Sequence, residues 1–412
     1  MKKAILAVIF LSAMAGAHAQ VLSYQLFIDS VRRHNSSMFL HQSRVAEAQA
    51  EIAAARATDD PTLSLEYGNN SDWYMLMGQS ASVEISKPLA PGKRRARVAV
   101  AREAMHVAVA EYDDFWRNLR ADASIDFYGA LLAKEMLLIG TQAYQNIESL
   151  AQSDSLRFVK GEISELDMIQ SRLEQRRAQQ ELNRRRTDFL NALVVLDERL
   201  CTADAGGARD VEGQLSAPGR LFDLRALRHK AAESRADLCA AANAVTLSQS
   251  EERLALRERR SDVELALGAS YNTQVLNDEA PAPQFVGYTV GLSLPLPVTS
   301  VNRGVRNAAK SRVQQAGYEW SALRAQVDAE VVRAYNTYRA ALSRAEAYAD
   351  NMMSQARQVL DGKLYAYQRG DTSLLEVLMA QETFNEIREE YATSLYDCMV
   401  ALAELERSVG EL

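Results

Sequence analysis

The chain has 412 residues, a formal net charge of −7, a pI near 5.5 and 48% hydrophobic residues. Its Arg residues are interspersed with acids rather than gathered in a patch, which argues against DNA or RNA as a partner. No apolar run reaches the roughly twenty residues that a membrane helix needs, so only a β-barrel remains as a way through a bilayer.

The first residues, MKKAILAVIFLSAMAGAHAQ, join Lys2 and Lys3 to an apolar stretch and then to Ala17-His18-Ala19. That is the three-part pattern of a cleaved secretory signal, so residues 1–19 are expected to be removed, leaving no Cys at the cleavage point to accept a lipid. A helix is expected from about Ser23 to Ala57. Strands follow: Leu63, Leu65 and Tyr67 alternate with Thr62, Ser64 and Glu66, and Val83 and Ile85 alternate with Ser82, Glu84 and Ser86. Between them, Trp73 and Tyr74 suit an aromatic girdle at a membrane interface. Met75 and Met77 read as packing residues rather than soft metal ligands.

From Arg94 to about Arg157 there is no proline, and at 1.5 Å per residue this helix reaches on the order of 90 Å. It breaks at Gly161 and a second helix returns. The stretch CTADAGGARDVEGQLSAPGR reads as a linker. A second helix-strand-strand-helix-helix series then begins near Leu221, with strands on Val263, Leu265, Leu267 and Tyr271 and on Val286, Tyr288, Val290, Leu292 and Leu294. Its long helix starts near Asn302, and the last turn is at Gly370.

The two series are one unit written twice. VEISKPL from Val83 matches VGLSLPL from Val290 at an offset of 207, and FVKGEISELDMIQSRLEQ from Phe158 matches YQRGDTSLLEVLMAQETF from Tyr367 at an offset of 209. The expected organisation is a signal peptide at 1–19, and a first repeat at 20–200 with a β-hairpin at 62–87 and a helical hairpin at 94–200. A linker at 201–220 leads to a second repeat at 221–412 with a β-hairpin at 262–294 and a helical hairpin at 302–412. The fold class is an α+β membrane protein in which long antiparallel helical hairpins pack as coiled coils. Four strands cannot close a barrel, and an open sheet in lipid leaves its edge groups unpaired. Three copies would supply a twelve-stranded barrel. In the polar register of the strands Glu66, Glu84 and Glu264 then point into the lumen and favour cations.

The order of signal peptide, duplicated units, VEISKPLAPGKRRARV and GDTSLLEVLMAQ resembles the TolC-like outer membrane efflux protein family, over essentially the whole mature chain. GKRRARVAVA resembles most the CzcC/CusC-like heavy-metal outer membrane factors. The resemblance implies a homotrimer in the bacterial outer membrane, with a helical α-barrel crossing the periplasm. It also implies a periplasmic adaptor and an inner-membrane pump of the resistance-nodulation-division type as partners. The implied function is a passive duct for heavy-metal cations; multidrug efflux and type I protein secretion are the alternatives on the same fold. The family places the periplasmic aperture and adaptor contact at the helix-turn-helix ends, here Phe158, Gly161, Leu166 and Asp167 and their counterparts Tyr367, Gly370, Leu375 and Glu376. Asp167 and Glu376 would each form a ring of carboxylates by threefold symmetry.

No catalytic triad, phosphate loop or paired-carboxylate motif is visible, so no enzyme activity and no cofactor are assigned. His34 and His41 are seven residues apart on one expected helix, but neither they nor His106 and His229 make a metal site. Cys201 and Cys239 allow a disulfide that spacing alone cannot establish, with Cys398 left over. Lys93, Arg94, Arg95 and Arg97 follow the membrane exit, where lipid headgroups or a neighbouring chain are both within reach.

Overall fold

The computed structural model describes residues 21–69, 78–89, 92–201, 210–258, 262–276, 278–279, 281–295, 301–349 and 352–410. The signal segment, Trp73, Tyr74, Met75 and Met77 lie outside the described residues. In chain order the elements are β1 (Val21–Ser23), α1 (Tyr24–His34), α2 (Ser36–Arg56), β2 (Thr62–Asn69), β3 (Gln79–Leu89), α3 (Lys93–Val159) and α4 (Glu165–Arg199). The second half comprises β4 (Asp210–Glu212), α5 (Leu224–Ser234), α6 (Ala236–Glu258), β5 (Val263–Asn272), β6 (Phe285–Ser293), α7 (Val301–Ala349), α8 (Met352–Arg369) and α9 (Leu374–Val409).

The chain forms two compact units. One comprises His41–Tyr112 and Asp237–Arg324 and holds the four-stranded sheet. Its order is β2-β3-β5-β6 and every neighbouring pair is antiparallel. Pairing therefore joins the repeats directly, through Leu89 opposite Val263 and Ser80 opposite Asn272. Alternation sorts the side chains onto two faces. Leu63, Leu65, Val83, Ile85, Leu265, Leu267, Val290 and Leu292 share one of them, and it is bare: Leu65 is 72% exposed and Val290 76%. Leaving so many side chains in water forfeits about 1.5–3 kcal/mol each, which fits a face built for lipid. Where the sheet passes into helix, Lys93 Nζ reaches Asp262 Oδ2 at 2.8 Å, and the lysine side chain is only 10% exposed.

The other unit comprises Met1–Leu40, Asp113–Ala236 and Ala325–Leu412. Its core gathers Phe27, Val31 and Phe127 with Tyr338, Leu405 and Val409. The Phe27 and Phe127 rings stack with centroids 5.7 Å apart. β1 pairs in parallel with β4, Val21 opposite Asp210, and Lys134 Nζ fastens β4 by contacts of 2.8 Å to Asp210 Oδ1 and 2.7 Å to the Val211 carbonyl.

Sequence reading expects one helix before each strand pair; each is in fact two. The chain turns extended at Asn35 (φ −67°, ψ 122°) and again at Arg235 (φ −69°, ψ 124°). Both residues are buried, and both spend their side chains on the end of their own repeat's last helix. Asn35 Nδ2 donates to the Arg199 carbonyl at 3.0 Å, and Arg235 Nη1 donates to the Ser408 carbonyl at 3.0 Å and to Glu330 Oε2 at 2.8 Å. Last-turn carbonyls lack helical partners, so this satisfies groups that burial would otherwise leave unpaired. The same break corrects the pairing of His34 with His41: they stand on α1 and α2, not on one helix face.

Two residues past each capped carbonyl the chain enters the left-handed region, at Cys201 (φ +52°) and at Gly410 (φ +108°). Glycine takes that conformation freely, whereas a side chain pays for it. Replacing Cys201 with glycine is expected to raise stability by about 1 kcal/mol, measured as a higher unfolding midpoint. All three cysteines are free thiols; Cys201 and Cys239 are exposed and Cys398 is buried.

Candidate functional site

Two regions carry the expected functional residues. The first is the second face of the sheet. Glu66 lies opposite Ser82, Glu84 opposite Gly268 and Glu264 opposite both Pro88 and Ser293, so all three carboxylates project from one face. Their neighbours there are Ser64, Ser82, Ser270, Thr289, Gly268 and Gly291. Small and polar side chains, with Phe285 opposite Asn272 at the far end as the one large apolar group among the described residues, make a surface that water wets, back to back with one that it does not.

The second region is the pair of helix-turn-helix ends, both in the helical unit. They are built alike, residue for residue. After α3, Gly161 N donates to the Phe158 carbonyl (2.9 Å) and Glu162 N to the Arg157 carbonyl (2.9 Å); after α8, Gly370 N donates to Tyr367 (3.1 Å) and Asp371 N to Ala366 (2.9 Å). Both glycines have positive φ, +75° and +82°, as this helix-ending motif requires. Each returning helix then starts on a serine cap. Ser164 Oγ accepts from Asp167 N at 3.2 Å, and Ser373 Oγ accepts from Glu376 N at 3.4 Å.

The acid three residues after each serine sits in the first turn, at the positive end of the helix, where a negative charge is favoured. Ser164 Oγ also donates to Asp167 Oδ2 (2.7 Å). Glu376 pairs with Lys363, whose hydrogen bond holds the Glu376 carboxyl below its ordinary range. Leu166 and Leu375 are exposed, as is Phe158.

Tyr367 departs from its counterpart. It is buried against Leu374 and Val377, and its hydroxyl donates to Asp154 Oδ1 at 2.9 Å. The Arg157 guanidinium lies over its ring, 4.9 Å from the centroid. Asp154 is wholly buried, and its Oδ2 has no hydrogen-bond partner. Burial pushes the Asp154 carboxyl above the usual carboxylate range against the opposing pull of Tyr367, Ser171 and Arg157, with Asp167 adding to the rise. Burial, with the Asp154 contact adding to it, likewise raises the Tyr367 hydroxyl. Asp154 therefore ties α3 to α8, one repeat to the other, beside the two turns. Sequence reading passes over it because a single Asp in a long polar helix looks solvated; Ala-rich spacing gives no sign of what packs on it.

An open groove of about 1130 Å³ also runs along α9 in this unit. Its arginines are committed: Arg177 to Glu174, Arg185 to Glu181 and Glu389, Arg344 to Asp397. Glu382 and Glu386 remain as its unpaired carboxylates. Among the described residues no helix is long and apolar enough to cross a membrane, and no His, Cys, Asp or Glu group is arranged to hold a metal ion.

Duplicated amphipathic hairpins in one sheet, each continuing into a long helical hairpin, define a channel fold of the outer membrane type. The chain belongs to the outer membrane efflux protein family, whose profile matches residues 27–200 and 227–411. It is similar to the cobalt-zinc-cadmium resistance protein CzcC of Cupriavidus metallidurans, 26% identical over 324 residues that cover 77% of this chain and 74% of that one. Among solved structures it resembles CusC, with a TM-score of 0.75, 16% identity and coverage of 94% and 92% of the two chains. It also resembles the CmeC outer membrane channel of Campylobacter jejuni, with a TM-score of 0.74, 12% identity and coverage of 94% and 85%. These likenesses extend to the internal duplication, since the family profile matches once in each half.

Proposed function

We infer that the chain is the outer membrane duct of a heavy-metal efflux system, working as a homotrimer and driven by an inner-membrane pump through a periplasmic adaptor. The observation that carries this is the two-faced sheet with unpaired outer strands. β2 and β6 each have one neighbour, and hydrocarbon tolerates no open edge. Three copies edge to edge satisfy both and make a barrel with lipid outside and Glu66, Glu84 and Glu264 inside. The similarity to a cobalt-zinc-cadmium resistance protein supports metal cations as cargo. A lumen ringed by carboxylates attracts cations without binding them tightly enough to stop them.

In this reading the exposed tip residues Phe158, Leu166 and Leu375 meet the adaptor, Gly161 and Gly370 make the reversals, and Asp167 and Glu376 ring the aperture. Tyr367 holds that aperture shut through Asp154. The chain reaches the outer membrane after loss of residues 1–19.

Replacing both Glu84 and Glu264 with glutamine is expected to lower cation preference, moving the reversal potential in a salt gradient toward zero; an unmoved potential removes the acidic lumen from the mechanism. The test of the whole reading is growth of a strain lacking the gene, with and without a plasmid copy, on graded divalent metals, monovalent copper or silver, and hydrophobic drugs. Restored tolerance confined to a few metals is the expected result. Sensitivity to drugs alone would assign the duct to multidrug efflux, and no phenotype would favour polypeptide export.

A further inference from the structure

The unit that holds the sheet has a strongly cationic end that the duct function does not use. Thr62, Leu89, Val263 and Ser293 mark the sheet end at which strands give way to helices. Arg94, Arg95 and Arg97 follow β3 there on the first turns of α3, and Arg303 and Arg306 follow β6 on the first turns of α7. All five are exposed and none has an ion-pair partner among the described residues. Lys93 differs: it is buried and committed to Asp262. Lys87, also exposed, projects from the apolar face itself, opposite Leu265. The other acids at this end are Asp59, Asp60 and Glu258, with Glu264 on the opposite, polar face of the sheet, whereas the far end of the sheet carries Asp278 and Glu279.

Local helix physics does not account for the arginines. Neither α3 nor α7 has an acid in its first turn, and cations at a helix start oppose the macrodipole. Both repeats nevertheless carry them, at matching places immediately beyond a lipid-facing apolar band. A long lysine on that band behaves likewise, with its stem along hydrocarbon and its charge at the boundary.

We propose that Arg94, Arg95, Arg97, Arg303 and Arg306, with Lys87, form a collar that binds the anionic phosphate headgroups of phospholipids at the periplasmic boundary of the membrane. Guanidinium groups suit this because they grip phosphate oxygens in pairs. The proposal rests on the outer-membrane reading of the sheet. Charge complementarity and continuity with the apolar face select lipid over a second copy of the chain, since no matching surplus of exposed acid lies at the same level.

The full-length protein is reconstituted into vesicles of phosphatidylcholine mixed with phosphatidylglycerol, extracted gently, and its retained lipids are counted by native mass spectrometry. The wild type is expected to hold phosphatidylglycerol over phosphatidylcholine about fivefold beyond the vesicle ratio. R94Q/R95Q/R97Q/R303Q/R306Q is expected to lose that enrichment, and the corresponding five-lysine variant to keep most of it. Equal enrichment in the glutamine variant, no enrichment in the wild type, or loss of the trimer with enrichment unchanged overturns the collar. If the glutamine variant does not insert, salt decides on the wild type: enrichment that fades at high ionic strength supports the collar, and enrichment indifferent to salt overturns it. A wild type that enters neither this mixture nor phosphatidylcholine alone overturns the outer-membrane reading itself.

Discussion

Replacing Asp154 with alanine is expected to loosen the helix ends and open the channel, while replacing it with asparagine is expected to leave them closed. Alanine removes the acceptor of the Tyr367 hydroxyl, 2.9 Å away in a buried setting. A buried donor left without a partner costs about 1–3 kcal/mol, enough to raise the open population about tenfold. Asparagine still accepts from Tyr367, and it takes no charge into the core. Single-channel conductance in planar bilayers, with hydrogen exchange at the backbone of 157–166, separates the two variants. The wild type should respond to pH with a definite sign. Because burial raises the Asp154 carboxyl, the arrangement in which Tyr367 covers it binds the proton more tightly than one in which the two part. Its extra stability is fully present below the ordinary carboxylate range and is lost as pH rises through the raised value. Protection at the turns, corrected for the intrinsic pH dependence of amide exchange, should therefore fall across that window in the wild type and stay flat in the asparagine variant. Identical profiles in the two would remove Asp154 from control of the tips.

Replacing Arg235 with methionine is expected to cost about 3 kcal/mol. The guanidinium is 4% exposed and joins three elements: the break between α5 and α6, Glu330 on α7 and the last turn of α9. Its removal takes the cation from a partly buried carboxylate and uncaps the Ser408 carbonyl together. Pairing the change with Glu330→Gln should recover part of the loss, since the glutamine no longer needs a cation. The unfolding midpoint of the reconstituted protein and the rate of its proteolysis are the measurements. A loss under 1 kcal/mol would mean that the break is held by packing around Leu227 and Ala231 instead. Asn35, a neutral side chain, does the same work in the first repeat by donating to the Arg199 carbonyl and accepting from Ser37 N, with no charge involved, so Asn35→Ala should cost less.

The strands, both turns and the duplication were legible because each rests on a short-range rule. Alternation marks the two faces of the sheet, and a glycine three residues after Phe158 and after Tyr367 marks a helix end. The breaks at Asn35 and Arg235 were not legible, since neither carries glycine or proline and their reason lies at Arg199 and Ser408. Cys201 hid its backbone strain for the same cause: only its equivalence to Gly410, visible once both helix ends are in place, exposes it. The pairing of β1 with β4 is out of reach of any local pattern, as three-residue strands have no periodicity to detect. At the candidate site, the three sheet carboxylates followed from register. Asp154 did not, because what makes it unusual is the aromatic ring that covers it.

The order of the strands bears on how the protein is assembled. β3 pairs with β5, so the sheet cannot be completed by zipping up successive hairpins as the chain arrives. Two hairpins can close early, but they must wait for each other while the whole first helical hairpin and the linker are laid down between them. Joining partners so distant along the chain is slow. Throughout that delay the leucine- and valine-rich face of each hairpin has neither its neighbour nor lipid to cover it, the circumstance in which chains stick to one another. Helical parts, whose contacts are more local, can settle meanwhile. Completion of the sheet is thus a late event in the life of this molecule, and the span before it is when its apolar faces most need to be kept apart.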